Sequence, residues 1–178
     1  MFKRVILSIG CLLSSMTIYA ATYFTAPTQF LSWSSWYSLI DQMDQSTDQV
    51  LIINYQGDGG YVDIGAYVQS QFARLQTQGK IIIINLTGDA WSAHAFTACA
   101  ADSIVFNNHY LVFHKMTQFG RVLVDQASLR DVEQLVQGCI NKNLLTRQDI
   151  YAKLLLYEIY VKESGGQVQK IYKIDPRN

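Results

Sequence analysis

Two short runs of aliphatic, mostly β-branched residues stand out in the hydrophobic pattern of the chain. The runs cover residues 50–55 and 81–86, and nearly uninterrupted apolar character over this length is typical of a strand buried in a parallel sheet. Each run leads into a glycine-containing turn and then into an apolar helical stretch, over residues 61–78 and 91–101 respectively. Two successive strand–turn–helix units predict right-handed crossovers, and therefore an α/β fold built on a parallel sheet.

The pattern on either side of these units predicts further elements. Residues 22–32 show no clear periodicity and are interpreted as a loose lead-in to the domain. Thr146-Arg147-Gln148-Asp149 has the form of a capping box, which predicts a helix that runs from there to Tyr157. The other predicted elements are helices over residues 33–43 and 129–141 and strands over residues 103–106, 110–114, 158–161 and 168–174, with a turn at Gly165-Gly166 before the last strand.

The first 21 residues have the pattern of a secretory signal peptide. Lys3-Arg4 gives a positive start, residues 5–18 are uncharged and mostly apolar, and Ala20-Ala21 offers cleavage points. An uncleaved membrane anchor is the alternative, although the apolar run is short for one. We therefore expect a secreted or periplasmic protein, with residues 1–21 as the signal peptide and a single domain over residues 22–178.

Composition narrows the classes of function. The 178 residues include 14 basic and 14 acidic ones, so the chain lacks the basic surface of a nucleic-acid binder.

Once the signal peptide is removed, Cys99 and Cys139 remain, and an oxidising compartment would allow them to pair. We expect two buried free thiols instead, because Cys99 lies in a strongly apolar segment. The histidines and cysteines show no zinc-site spacing, so neither a metal nor a cofactor is expected.

Candidate chemistry lies at the two glycine-containing turns, Gly57-Asp58-Gly59-Gly60 and Gly88-Asp89-Ala90. Neither turn has the phosphate-binding spacing of a P-loop or a dinucleotide turn, so their amides are candidates for stabilising an oxyanion. Ser92 opens the second helix and His114 closes a later strand, which predicts an alcohol and an imidazole near each other, as acyl transfer requires. For Ser92 taken alone the alternative is a helix cap. His94 is expected to point away from Ser92.

Three segments, in the same order, resemble the Clp peptidase family. Asn54 followed by Gly59-Gly60-Tyr61-Val62-Asp63-Ile64-Gly65 is similar to the family's Asn…Gly-Gly-x-x-x-x-Gly segment. Gly88-Asp89-Ala90-Trp91-Ser92-Ala93-His94-Ala95 is similar to its Gly-x-Ala-x-Ser-Met-Gly-Ala nucleophile segment, and Asn107-Asn108-His109-Tyr110-Leu111-Val112-Phe113-His114 to its Pro-Asn-Ser-x-x-Met-Ile-His segment. The chain departs from the family pattern in two extra residues before Gly59-Gly60 and in His94, where the family has glycine.

The resemblance implies the ClpP/crotonase fold, with repeated ββα units, a parallel sheet and C-terminal helices, and a serine peptidase site. The roles that it implies are Ser92 as nucleophile, His114 as general base, and the Gly60 and Ala93 amides as the oxyanion hole. It places the third triad member at Glu158, ahead of a short strand. Asp149 is the second choice, although helix capping is the commoner role for such a residue. Members of the family form rings, so a homo-oligomer is expected.

We therefore expect an exported serine endopeptidase that cleaves peptides or unfolded segments. Export would separate it from any cytosolic ATPase, so it would act without one. Lys115 in place of His114 as the base is a minor variant of this hypothesis. One alternative is a catalytically inert module of the same fold that serves binding or assembly. Another is an acyl-thioester enzyme of the crotonase type, which export disfavours because coenzyme A is chiefly intracellular.

Overall fold

The computed structural model describes residues 20–118, 121–122 and 126–176. Apart from Ala20 and Ala21, the predicted signal peptide lies outside these residues and stays a prediction. Within the described part of the chain, no helix combines the length and the apolar character that crossing a membrane requires.

The described residues form nine strands, five α-helices and one π-helical turn over Asp149–Lys153. The strands are β1 (Ala21–Thr25), β2 (Val50–Gly57), β3 (Ile81–Trp91), β4 (Ser103–Val105), β5 (Leu111–Phe113), β6 (Thr117–Gln118), β7 (Arg121–Val122), β8 (Tyr157–Ser164) and β9 (Gln167–Ile174). The helices are α1 (Trp33–Gln45), α2 (Val62–Thr77), α3 (Ala93–Ala98), α4 (Gln126–Leu135) and α5 (Gln137–Asn141).

Seven strands form one mixed sheet in the order β1-β2-β3-β5-β8-β9, with β4 paired to an earlier part of β3. Strands β1 to β5 pair in parallel, whereas β8 is antiparallel to β5 and β9 is antiparallel to β8. Strands β6 and β7 form a separate antiparallel ribbon. The predicted α/β class is confirmed, but the expectation of a parallel sheet holds only for β1 to β5.

Alternation along the central strands and periodicity along the helices produce one hydrophobic core. In β2, the alternate residues Leu51, Ile53 and Tyr55 are completely buried, and they belong to the same cluster as the buried face of α1. Burial of one large aliphatic or aromatic side chain contributes about 1.5–3 kcal/mol, so this face holds the helices against the sheet. The completely buried face of α2 consists of Ile64, Val68, Phe72 and Leu75.

Two parts of the amino-terminal half differ from the prediction. Residues 22–32 are not a loose lead-in, because β1 occupies their first part and pairs in parallel with β2. Residues 88–90 are not a turn, because β3 continues through them. The pairing register shifts between Tyr55 and Gly57 of β2, which accommodates the extra residues of β3. Such a bulge depends on the partner strand and leaves no mark on the periodicity of β3 itself.

The predicted helix over residues 129–141 is divided at Val136, between α4 and α5. The side chain of Gln69 in α2 donates hydrogen bonds to the carbonyl oxygens of Leu135 at 2.8 Å and of Phe96 at 2.6 Å. A carbonyl at the end of α4 is thereby satisfied by a side chain from another helix. The interruption is a tertiary effect that helical periodicity cannot reveal.

The capping box is confirmed, but the helix that it opens is short. The Thr146 N–H donates to the Asp149 carboxylate at 2.8 Å, and the Asp149 N–H donates to the Thr146 hydroxyl at 3.2 Å. The π-helical turn then ends at Lys153, and the helix does not reach Tyr157 as predicted. Tyr157 instead begins β8, where it pairs with Ile174 of β9.

The expectation of two free thiols is wrong, because Cys99 and Cys139 form a disulfide between the end of α3 and α5. Both residues are completely buried. Gly138 permits this approach, since a Cβ at that position would overlap the carbonyl oxygen of Cys99. The two cysteines are 40 residues apart, so their proximity follows from helix packing and not from the local sequence.

Replacing both cysteines by alanine is expected to lower the free energy of unfolding by about 2–4 kcal/mol, because the disulfide restricts a 40-residue loop in the unfolded chain. Urea denaturation of the oxidised parent and of the Cys99→Ala/Cys139→Ala variant measures the difference. The control is the parent under reducing conditions, whose free energy of unfolding should fall by a comparable amount. A variant as stable as the oxidised parent would contradict the prediction.

Candidate active site

Two of the predicted site residues lie where β3 and β5 end side by side. Ser92 directly follows β3, and its N–H donates to the carbonyl oxygen of Val112 in β5 at 2.9 Å. His114 directly follows β5. Because Trp91 pairs in parallel with Val112, the alcohol and the imidazole belong to the same edge of the sheet.

Ser92 has a backbone conformation that L-amino acids rarely adopt. Its φ is 55° and its ψ is −122°, which lies outside the small left-handed region where both angles are positive. The other described non-glycine residues with positive φ are all asparagines, a residue type that tolerates this sign. Strain of this kind costs about 1–3 kcal/mol and is concentrated at functional sites. A serine on such a strand-to-helix turn presents its hydroxyl above the strand, as in nucleophile elbows.

The side chain of Ser92 does not cap α3. It makes no hydrogen bond to a backbone N–H of that helix. Among the residues that the structure describes, none donates to or accepts from this hydroxyl, and the residue is partly exposed. The helix-cap alternative is therefore wrong, and the hydroxyl is available to a substrate.

The loop over residues 57–60 packs directly against Ser92. A Cβ on Gly59 would lie 2.6 Å from the Ser92 Cβ and 3.2 Å from its Oγ. Gly59 also has a φ of 102°, which side chains disfavour. Both the space and the backbone conformation therefore require glycine here, and the requirement comes from contact with the serine.

Two backbone amides beside Ser92 lack acceptors. Within residues 20–118, 121–122 and 126–176, no acceptor is bonded to the N–H of exposed Gly60 or to that of Ala93, the first residue of α3. The first follows the glycine that touches Ser92, and the second follows Ser92 itself. Unpaired amides of this kind are the donors that an oxyanion hole requires.

The His114 ring is oriented by the backbone. Its Nδ1 lies 2.8 Å from the carbonyl oxygen of Lys115, which can only accept. The ring proton therefore belongs on Nδ1, and Nε2 is the basic nitrogen. The Ser92 hydroxyl is not hydrogen-bonded to this ring in the described part of the chain. Catalytic hydrogen bonds of this kind are often poorly aligned until substrate binds.

Glu158 neighbours His114 at the end of the antiparallel ladder between β5 and β8. The last pair of that ladder joins Phe113 to Ile159, so His114 and Glu158 are the next residue on each side. The Glu158 carboxylate accepts a hydrogen bond from the Tyr160 hydroxyl at 2.9 Å. Burial together with this carboxylate raises the pKa of Tyr160 to about 12. The role of Glu158 as the acid that orients His114 stays a prediction.

Asp149, the second choice for that acid, is engaged in a different cluster. Its carboxylate lies 2.6 Å from Lys170 Nζ and 2.8 Å from the Tyr172 hydroxyl, in addition to its bonds with Thr146. Burial acts to raise the pKa of Asp149, but these hydrogen bonds outweigh it and leave the pKa below its usual value. Asp149 thus joins β9 to the π-helical turn, which is a structural role.

His94 is the residue whose importance the sequence did not reveal. Its ring is completely buried, and Nδ1 accepts a hydrogen bond from the Gly59 N–H at 3.2 Å. Nε2 lies 2.9 Å from the Pro27 carbonyl oxygen, so Nε2 carries the proton of a neutral ring. Burial lowers the pKa of His94 to about 4, against the opposing effects of the Pro27 hydrogen bond and of Asp58.

The signal that could have revealed His94 is a pair of departures from the Clp pattern. The loop has two extra residues before Gly59-Gly60, and His94 replaces a glycine. In the structure these departures meet, because a Cβ on Gly57 would lie 2.6 Å from His94 Nε2. The larger side chain at position 94 and the longer loop before Gly59-Gly60 are therefore in contact, and each fits the other.

Other features near the loop carry no evident chemistry. Among the described residues, no group of three or more histidines, cysteines or carboxylates could hold a metal ion. A polar cleft of about 260 Å³ borders the loop, but Ser92 is not among its lining residues. The cleft is lined by Thr28, Gln56, Gly57, Asp58, Gly88 and Asp89.

No protein-family model matches the chain, and a search of curated proteins finds no match either. The likeness to Clp peptidases therefore rests on the three short segments described above, and membership of that family stays a prediction.

Replacing Gly59 by alanine is expected to destabilise the protein more than the same change at Gly79. Both glycines have positive φ, of 102° and 85°, and the backbone strain alone costs about 1–2 kcal/mol. A Cβ on Gly79 meets no atom within 4 Å, whereas a Cβ on Gly59 collides with Ser92. Urea denaturation of both variants measures the difference, and equal losses would show that the loop does not press on the serine.

The stability of the protein is expected to decrease as the pH falls from about 6.5 to about 4. A histidine in the unfolded chain takes up a proton below its ordinary pKa of 6.5, whereas His94 in the folded protein does so only near 4. The difference amounts to about 3 kcal/mol lost by pH 4, with no effect above pH 7. Denaturation curves across this range, compared with those of His94→Asn, isolate the contribution, which should be missing in the variant. Parallel pH dependences would disprove it.

Proposed function

We propose that this protein is an exported serine peptidase of the ClpP/crotonase fold, acting on peptides or unfolded segments. Ser92 is the nucleophile and His114 the general base. The amides of Gly60 and Ala93 bind the oxyanion, and the Glu158 carboxylate orients the His114 ring. Neither a cofactor nor a metal takes part in this reaction.

The observation that carries the proposal is the strained conformation of Ser92 together with its free hydroxyl. A serine that served only packing or capping would not need a φ of 55° and a ψ of −122°, and this conformation would still cost conformational energy. Ala93 directly follows Ser92, and Gly60 follows the glycine that packs against it; in the described part of the chain neither of their N–H groups has an acceptor. Strain, an available nucleophile and available donors at one point support acyl transfer.

The proposed reaction follows from these positions. Ser92 Oγ attacks the peptide carbonyl carbon while His114 Nε2 accepts the hydroxyl proton, and the carbonyl oxygen becomes an oxyanion held by the two amides. His114 then returns the proton to the leaving amine, and water hydrolyses the acyl-enzyme by the same route. The Lys115 carbonyl oxygen, at 2.8 Å from Nδ1, stabilises the tautomer that leaves Nε2 basic.

The disulfide supports the exported location. Structural disulfides persist in oxidising compartments and are rare in the cytosol, and Cys99–Cys139 is completely buried. A peptidase outside the cytosol would work without ATP-driven unfolding, which favours flexible substrates. A homo-oligomer belongs to the same proposal, since it is implied by the Clp resemblance.

A second candidate is an inert binding or assembly module of the same fold. One observation favours it, namely that no hydrogen bond joins the Ser92 hydroxyl to the His114 ring in the described part of the chain. In that case the strained serine would have no catalytic task.

The experiment compares Ser92→Ala and His114→Ala with the parent on a dye-labelled unfolded protein. Loss of either residue is expected to lower kcat at least ~1000-fold, because the two act as a unit. A fluorophosphonate probe should label the parent and His109→Ala but not Ser92→Ala.

Matched controls are Ser103→Ala and His109→Ala, which replace an exposed strand serine and a partly exposed loop histidine. Both should cleave at the parental rate. If the folded parent neither cleaves nor reacts with the probe, or if Ser92→Ala cleaves as fast as the parent, the peptidase proposal fails and the inert module is favoured.

A further inference from the structure

His94 connects the glycine loop to the helix that starts behind Ser92. Backbone hydrogen bonds already join the loop to the segment before α1. The Asp58 N–H donates to the Thr28 carbonyl oxygen at 3.2 Å, and the Tyr61 N–H donates to the Phe30 carbonyl oxygen at 2.8 Å. The bond from Gly59 N–H to His94 Nδ1 is different, because it comes from α3. The loop that carries the Gly60 amide is thereby bonded to the element that carries Ala93.

The surroundings of His94 hold the ring in one place. Its centroid lies 4.4 Å from that of Phe30, 5.8 Å from that of Trp36 and 5.2 Å from that of Tyr55. The Tyr55 hydroxyl also donates to the His94 carbonyl oxygen at 3.1 Å. A buried ring with both nitrogens bonded and aromatic neighbours on several sides has little freedom to move. Its hydrogen bond to the Gly59 N–H therefore fixes the position of the loop.

We propose that His94 is a positioning residue for the proposed hydrolysis, whose neutral ring locks the loop over residues 57–60 against Ser92 and whose protonation releases it. This inference rests on the proposed function. The neutral ring offers Nδ1 as an acceptor to the Gly59 N–H, which has no other acceptor among the residues that the structure describes. A protonated ring carries hydrogens on both nitrogens, so two donors would then face each other.

The groups around His94 decide when release occurs. Among the described residues, Asp58 on the loop is a charged group that favours the protonated ring, and Tyr55 on β2 is a titratable neighbour. Burial raises the pKa of Tyr55 well above its usual value, so this phenol stays neutral. The contacts from the segment before α1 and from α1 itself are uncharged, namely Pro27, Phe30 and Trp36. The site should therefore remain locked at neutral pH and open only in acid.

The test uses two substitutions of nearly equal shape. In His94→Asn the side-chain oxygen can occupy the place of Nδ1 and accept from Gly59, whereas His94→Leu offers no acceptor. At pH 8 we expect kcat of His94→Leu to fall about 100-fold with KM little changed, because a displaced oxyanion donor weakens the transition state and not substrate binding. We expect His94→Asn to stay within about tenfold of the parent.

A second readout requires no turnover. Amide hydrogen exchange at Gly59, followed by NMR, should be at least about tenfold faster in His94→Leu than in His94→Asn, because only the second retains an acceptor. Equal exchange in both variants and the parent would overturn the proposal, whatever their activity. If the exchange differs as expected but no variant or parent hydrolyses any substrate, His94 still holds the loop over residues 57–60, and it is the proposed function that fails.

A measurement on the parent keeps the proposal falsifiable even if His94→Leu does not fold. The His94 ring carbon signal and the Gly59 amide signal should change together as the pH is lowered, with one midpoint in the acid range. Independent midpoints would overturn the release. In His94→Asn the Gly59 amide should no longer titrate, and a persisting titration would likewise overturn it.

Discussion

The parallel pairing of β2, β3 and β5 is the constraint on which the rest of the structure depends. Parallel strands end at the same edge of a sheet, so the loop after β2, the turn after β3 and the segment after β5 meet there. Ser92, Gly59 and His114 occupy those three positions, one on each connection. No two of them are neighbours in the chain, and the sheet alone brings them to one edge.

The strained turn at Ser92 survives because its surroundings are rigid. Every residue of α3 is buried, so the helix that follows the turn cannot rotate without losing core contacts. The Cys99–Cys139 disulfide fixes the other end of α3 to α5. On the side of the sheet, the Ser92 N–H is bonded to Val112. A cost of about 1–3 kcal/mol is small beside the burial of these side chains, so the fold as a whole imposes the conformation.

Polar groups in the interior act as ties between segments that are distant in sequence. His94 joins Pro27 to Gly59, and Asp149 joins Thr146 to Lys170. In both places the hydrogen-bonding groups are satisfied, so the buried polar atoms add specificity to the packing. The first tie lies at the candidate site and depends on a neutral ring. The second lies in the carboxyl-terminal part and depends on an ionised carboxylate, so acid weakens both.

Much of the framework could be predicted from local pattern. The β-branched runs before Gly57 and around residues 81–86, the helix that ends before Gly79, and the hairpin at Gly165-Gly166 all follow from periodicity and turn chemistry. The strand order then indicated that Ser92 and His114 would reach one edge. These features depend on neighbours within a few residues, and the sequence states them directly.

Other features were decided only when distant segments met. The lengthening of β3 depends on the register with β2, and the division between α4 and α5 depends on Gln69. The disulfide depends on the place where α5 packs. The burial of the His94 side chain depends on the loop over residues 57–60, whose Gly59 N–H donates to its ring. The sequence by itself determined the strand–turn–helix framework and its serine, because periodicity and turn chemistry act locally. The tertiary structure decided how that serine is held and what surrounds it, because strain, burial and long-range hydrogen bonds exist only between packed elements.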